Sequence, residues 1–280
     1  MAIRITSDST CDLNALTEER NVGILPLKVC LDADTYLDGV DITPEDIFAF
    51  VAKTKILPKT SAPSQTDYEE FFEKELEGYD ALIHFNISQK SSVSHNVAKA
   101  AAEKFGGKVR VVDSMALSSG QGLLVMKACD MRDEGKSVDE IERAVNTLKL
   151  RTNTSFVPDS LDYLHKGGRV SGMVNLAAGL FKIHPLIKME NGQLVPGKKY
   201  KGKMNVLIKQ YIDDLKETYP KYDKTRCFVT HSSADRELVD TAIAKVKEVF
   251  EFDEVIETVA GSIITSHCGK GTLGVLFIYE

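Results

Sequence analysis

The run Ala81-Leu82-Ile83-His84-Phe85 empties into the polar segment Ser88-Gln89-Lys90-Ser91-Ser92-Val93-Ser94. A helical pattern follows from Asn96 to Phe105, and Lys108-Val109-Arg110-Val111-Val112 is a second apolar run ending at Asp113-Ser114. Strands alternating with helices in this way predict a mostly parallel sheet with both faces covered. Working back toward the N-terminus, Ile3-Arg4-Ile5 is a further strand running into Thr6-Ser7-Asp8-Ser9-Thr10, with Asp12 placed to cap a helix through Glu19. A strand is expected from Gly23 to Leu31. In Thr43-Pro44-Glu45-Asp46, an N-cap, a proline at the first helical position and an N3 acid predict a helix to about Thr54. Two prolines and three hydroxyl residues make Leu57 to Ser64 an extended loop, a helix follows from Asp67 to Glu77, and two helices fill Leu117 to Leu150. Ligands of such sheets bind beyond the carboxyl ends of the strands, where strand order reverses. The loops at Asp8-Ser9, Ser88 to Ser94 and Asp113-Ser114 all follow strands and can share one edge.

After Arg151 the pattern changes. A helix from Leu161 to His165 stops at Gly167-Gly168, a helix capped by Ser171 runs to about Phe181, and Ile183 to Tyr200 reads as a hairpin around Asn191-Gly192. Helices at Asn205 to Thr218 and Glu237 to Phe250 alternate with strands at Cys227 to Thr230 and Val255 to Thr258, and a strand from Thr272 to Tyr279 ends the chain. The 280 residues therefore divide into two α/β domains, 1–150 and 151–280, the second with more antiparallel character.

A formal net charge of −6 gives no chain-wide attraction to phosphate backbones, so nucleic acid is not the expected partner. The apolar runs, such as Gly274 to Ile278, fall far short of the roughly 20 residues that a membrane-spanning helix needs. Met1 leads straight into the first strand without a basic stretch or cleavage site, which reads as cytoplasmic. Five cysteines at 11, 30, 129, 227 and 268 include no CxxC, and the histidines no HxxxH, so neither a disulfide framework nor a metal site is indicated.

Three motifs each admit a functional and a structural reading. Gly269-Lys270-Gly271-Thr272-Leu273-Gly274 matches GxGxxG, but a dinucleotide site needs a strand before the motif and a helix after it, and only six residues remain after Gly274. A turn into the last strand is the better reading. Ser91, Ser92, Ser94 and His95 cluster as in a serine hydrolase acting on a lipid ester, yet no GxSxG occurs and a triad is a matter of spatial geometry. Met173, Leu176, Ala177 and Leu180 form an i, i+3, i+4, i+7 stripe that fits core packing or one wall of an apolar tunnel.

Ser7-Asp8-Ser9-Thr10, Pro58-Lys59-Thr60-Ser61-Ala62-Pro63, Ile87-Ser88-Gln89-Lys90-Ser91-Ser92, Val112-Asp113-Ser114, Leu164-His165-Lys166-Gly167-Gly168-Arg169-Val170 and His267-Cys268-Gly269-Lys270-Gly271-Thr272-Leu273-Gly274 together resemble the DegV family. They occur in order along the whole chain. The resemblance implies an N-terminal Rossmann-like, mostly parallel α/β domain and a C-terminal mixed α/β domain with a ligand tunnel between them. It further implies a protein that binds one long-chain fatty acid as the acyl-binding subunit of a bacterial fatty acid kinase. By the same resemblance, Thr60 and Ser92 hold the carboxylate, His267 lies near that head group, and Arg169 belongs to the surface that docks the ATP-dependent kinase. Transient membrane contact is compatible with this role, and no cofactor is implied. The chain departs from the family in reading Thr60-Ser61-Ala62-Pro63 for TSQP, in Val93-Ser94-His95 after the binding serine, and in Tyr200-Lys201-Gly202, where many relatives carry an arginine whose bidentate fork lysine cannot reproduce.

The residue types suit that role. Hydroxyls and a histidine donate to a carboxylate without placing a permanent cation in the site. Phosphorylation also needs nucleotide, magnesium and a transition-state clamp, for which the sequence shows no convincing motif, so a substrate-presenting subunit is expected rather than a complete enzyme.

Overall fold

The computed structural model describes residues 1–170 and 183–280. The helix expected from Ser171 to Phe181, with its stripe of Met173, Leu176, Ala177 and Leu180, lies outside the described residues. Four strands form a parallel sheet in the order Val22–Leu25, Ile3–Asp8, Ala81–Asn86, Val109–Asp113. The chain leaves Ile3–Asp8 toward one side and returns on the other, so strand order reverses beside Asp8 and Ile87, where the crevice of such a sheet is expected. The fold class read from the alternation is the one observed.

A second, mixed sheet runs Gln193–Lys201, Ile183–Glu190, Ser155–Val157, Leu273–Tyr279, Tyr222–His231, Glu254–Val259, with Thr152–Asn153 also pairing Leu273–Tyr279. Among the strands of the described residues in this sheet, Tyr222–His231 and Glu254–Val259 are the pair that runs in parallel, and Val170 adds a single parallel bridge to Leu194. A small antiparallel sheet of Asp34–Leu37, Lys28–Leu31 and Lys59–Ser61 sets Thr60 opposite Val29.

The two large sheets share a core. The helix Ser119–Asp133 is buried from Ser119 to Met126 and again at Ala128 and Cys129, and Leu123, Leu124 and Met126 join one buried cluster with Ile5, Ile83 and Phe85 of the parallel sheet and Phe228 and Leu276 of the mixed one. Two glycines let it come this close: a Cβ on Gly122 would lie 2.7 Å from the Cys11 carbonyl, and one on Gly120 would collide with Thr154 Oγ1.

Three local expectations change. The single strand expected from Gly23 to Leu31 is two, Val22–Leu25 and Lys28–Leu31, because Pro26 cannot continue a ladder and the chain passes to another sheet. The extended Leu57 to Ser64 segment contains the short strand Lys59–Ser61. The early helix is only Leu16–Glu19, and Asp12 does not cap it. Asp12 takes a left-handed conformation with φ 49° and sends its carboxylate to Gly261, far away in sequence. The capping box at Thr43 and Asp46 forms as expected.

The hairpin turns at Asn191-Gly192, both with positive φ (51° and 78°), as a two-residue turn requires. Its tip docks on the loop that follows Ala81–Asn86: the Ser88 hydroxyl donates to the Gly192 carbonyl at 2.7 Å, and a Cβ on Gly192 would stand 2.8 Å from Ser88 Oγ. Gly192→Ala should therefore cost about 1–2 kcal/mol from the left-handed backbone alone, with a further loss from disturbing Ser88, read as a lowered thermal midpoint. An unchanged midpoint would show that the hairpin tip does not brace the loop.

Candidate functional site

A cavity of about 490 Å³ opens between the parallel and mixed sheets. This is within the roughly 300–1,000 Å³ of small-molecule sites. Leu27, Ile87, Leu117, Phe156, Leu194 and Ile264 give it apolar walls. Thr60, Ser92, Arg169 and His267, separated by up to 207 positions in the chain, all line it.

Each arrives on a different element. Thr60 sits on the edge strand Lys59–Ser61 and His267 on the helix Ser262–Cys268, with Thr60 Oγ1 2.9 Å from His267 Nε2. Ser92 lies in the loop at the carboxyl end of Ala81–Asn86, one turn ahead of the helix Ser94–Ala102, and its oxygen accepts from the Ser94 backbone N–H at 3.2 Å. Arg169 follows the helix Asp162–Gly167, is exposed, and donates from Nη1 to the Gly167 carbonyl at 2.8 Å.

The helix carrying His267 is held by groups of the N-terminal half. The Asp12 carboxylate accepts from Gly261 N–H at 2.9 Å and from the Ser118 hydroxyl at 2.5 Å; that of Asp38 accepts from Ser262 N–H at 2.7 Å and from the Ser9 hydroxyl at 2.7 Å. Both are buried beside donors at a helix N-terminus, a placement that favours negative charge. Burial nevertheless pushes both carboxyls above the ordinary range, Asp12 furthest. Asp8 organises the sheet edge in the same way: its carboxylate accepts from Thr10 N–H and hydroxyl, Gln121 Nε2, Asn86 Nδ2 and Ile87 N–H.

The glycine pair at 167 and 168 divides its work. Gly168, with φ 66°, ends the helix as read from the sequence, whereas a Cβ on Gly167 would lie 2.9 Å from His267 Nδ1. Space for His267 was not legible in the pair. Neither were Asp12 and Asp38 as supports, nor the helix Ser262–Cys268, whose Ile263-Ile264-Thr265 core reads as β-branched strand.

Burial first, and then the charge of Arg169, push His267 down to about 4, so it is neutral near pH 7. Its Nδ1 is buried with no hydrogen-bond partner. A hydroxyl–histidine pair without a carboxylate behind the ring lacks the group that orients and supports a catalytic imidazole. Ser92 pairs with Ser94, Oγ to Oγ 2.8 Å, and not with a histidine. The site offers neutral donors in an apolar cavity and fits binding of a carboxylate better than acyl transfer.

The GxGxxG segment is the turn expected, with Gly269 and Gly271 at φ 75° and 79° leading into Leu273–Tyr279. Among the described residues no helix is long and apolar enough to cross a membrane.

Known proteins agree with the architecture. The sequence model described as an uncharacterised protein of the DegV family matches residues 2–280. A DegV domain-containing protein of Listeria innocua is 34% identical over 278 residues, 98% of each chain. A solved structure of a DegV family protein from Thermus thermophilus, described as fatty acid binding, superposes with a TM-score of 0.93 at 28% identity over 100% of both chains. A stearic acid-binding protein from Eubacterium ventriosum does so with a TM-score of 0.86 at 29% identity, over 99% of this chain and 98% of that one.

The buried histidines set a pH response. His267 and His84, pushed down to about 4 and about 3, bind fewer protons folded than unfolded below the ordinary 6.5. Their contribution is full above that value and is lost as pH falls through the window. Asp8, Asp12 and Asp38, pushed up, act with the opposite sign: they favour the folded state at low pH and lose that advantage as pH rises through their folded values. The difference between wild type and His267→Gln isolates one member. In urea titrations the variant should lose less stability than wild type between pH 6.5 and 4, and identical slopes would refute a neutral, buried His267.

Proposed function

This chain belongs to the DegV family, and from that premise we propose that it binds one long-chain fatty acid and presents the carboxylate to a partner kinase for acyl-phosphate formation. In this reading residues 1–150 and 151–280 supply the two walls of the tunnel, and the protein works in the cytoplasm as a binding subunit, not as the enzyme. The observation that carries the ligand assignment is the cavity between the sheets, apolar along its walls and provided with Thr60, Ser92 and neutral His267 as uncharged donors. The fatty-acid-binding descriptions of the Thermus and Eubacterium relatives support it.

Magnitudes divide the labour between tail and head. A sixteen-carbon acid buries about 14 methylenes at about 0.8 kcal/mol each, so about 11 kcal/mol gross. Each head-group hydrogen bond adds about 0.5–3 kcal/mol, and association costs about 4–15 kcal/mol. The tail supplies affinity and the donors supply orientation. Neutral donors hold the acid without locking it in an ion pair, which suits a carboxylate that must react.

Protein purified without added lipid should carry one long-chain fatty acid by native mass spectrometry. Thr60→Ala with Ser92→Ala should weaken rebinding of the acid by about 1–6 kcal/mol, and of the matching alcohol by less. An apo protein that refuses long-chain acids in titration would sink the ligand assignment.

The kinase half of the proposal rests on Arg169, which is exposed at the cavity and fixed by its bond to Gly167. Exposed arginines at the centre of an interface can carry about 2 kcal/mol or more of binding. With kinase and ATP supplied at subsaturating protein, Arg169→Ala should keep its lipid and its melting temperature but lose acyl-phosphate formation, and Lys201→Arg should leave lipid binding unchanged. Undiminished phosphorylation by Arg169→Ala would remove Arg169 from the docking surface, and loss of lipid would assign it to the cavity instead.

A further inference from the structure

On the side of the cavity formed by the mixed sheet, four hydroxyls line it, those of Ser155, Thr230, Ser232 and Thr272. Three of them sit in networks with a place for every hydrogen. Thr272 donates to the Cys268 carbonyl at 2.8 Å. Ser232 and Thr265 bring two hydrogens to two contacts, with each other at 2.9 Å and with the Ala260 carbonyl. Ser155 and Tyr211 likewise share two, with each other at 2.8 Å and with the Ser155 carbonyl at 2.9 Å. Thr230 breaks the pattern. Its oxygen meets the hydroxyls of Ser119 and, at 2.7 Å, Thr258, and among the described residues none of the three has a further hydrogen bond. Three hydrogens therefore serve two contacts, and one is left over whichever way the bonds run.

Ser119 and Thr258 are buried away from the cavity, whereas Thr230, only 6% exposed, lines it. A buried hydrogen without an acceptor is costly. The cost vanishes if Ser119 and Thr258 both donate to Thr230 and Thr230 donates to the occupant of the cavity. Position says which part of the occupant that is. Phe228, Thr230 and Ser232 stand at alternate positions: Phe228 belongs to the core shared by the two sheets, and Ser232 meets Thr265 on the helix that carries His267. Thr230 is thus set about 7 Å inward of Ser232, facing the tail and not the head group, and a saturated tail offers no acceptor. We propose that Thr230 is a specificity-determining residue and that the cavity takes long-chain acids bearing a keto or hydroxy oxygen part-way along the chain. This rests on the fatty-acid reading above and deepens it by naming the substrate class.

The test compares stearate with a series of keto-stearates, the ketone moved along the chain, by displacement of a fluorescent fatty acid from delipidated protein. A ketone only accepts, so it reports the spare hydrogen directly. For the wild type, the ratio of keto-acid Kd to stearate Kd should pass through a minimum at one mid-chain position. At that position Thr230→Val should raise the ratio about 3- to 10-fold, the size of one ordinary hydrogen bond, and Thr230→Ser should restore it. A ratio that is the same at every position, or that Thr230→Val leaves unchanged, would overturn the proposal while the fatty-acid reading stands. Should Thr230→Val fail to fold, the positional series on the wild type decides alone. Wild-type protein that refuses stearate and all the keto-stearates would overturn the ligand reading itself, and this proposal with it.

Discussion

Two buried carboxylates, Asp12 and Asp38, hold the first N–H groups of the helix Ser262–Cys268, and the position of His267 against Thr60 follows from that grip. The carboxylates belong to loops of the N-terminal half and the helix to the C-terminal half, so the contact is also a joint between them. Its hydroxyl partners, Ser118 and Ser9, donate to the second oxygen of Asp12 and of Asp38, so that each carboxylate oxygen has a partner, as a buried polar group requires. Remove either carboxylate and a buried helix terminus loses its partners.

The joint works because the two sheets already share a core. The helix Ser119–Asp133, buried along most of its length, gives side chains to both, and Gly122 lets its backbone approach the Cys11 carbonyl, and Gly120 the Thr154 side chain, where a methyl group would collide. Arg226 adds an ion pair across the same boundary, to Asp130 at 3.2 Å, and a second within its own sheet, to Glu254 at 2.7 Å. The cavity lies beyond the carboxyl ends of the parallel strands, where Leu27 and Ile87 line it, with Phe156 and Leu276 of the mixed sheet on its other side.

Electrostatically the site is quiet by construction. His267 is kept neutral by burial and by Arg169, and Cys268 beside it is pushed up to about 12 and chemically inert. The cations of its lining, Lys90 and Arg169, are both exposed.

The parallel sheet, the glycine-terminated helix before Arg169, the Asn191-Gly192 hairpin and the capping box at Thr43 were all legible in the chain, because each depends on residues a few positions apart whose periodicity or backbone preference is local. The site residues were legible only by resemblance, since nothing local in Thr60 or His267 says that they meet. Asp12 shows the limit most clearly: as sequence it is an N-cap for its neighbours, and in the fold it serves Gly261, because a buried orphan N–H at a distant helix terminus has more to gain from it than an exposed one nearby. Pro26 splitting one apolar run between two sheets and Gly167 making room for a histidine ring are likewise decisions of tertiary packing. Sequence alone determined most of the elements and the chemistry they carry; which side chains share a cavity, and that Ser262–Cys268 is a helix, was decided by long-range burial, where the cost of an unpartnered polar group outweighs local preference.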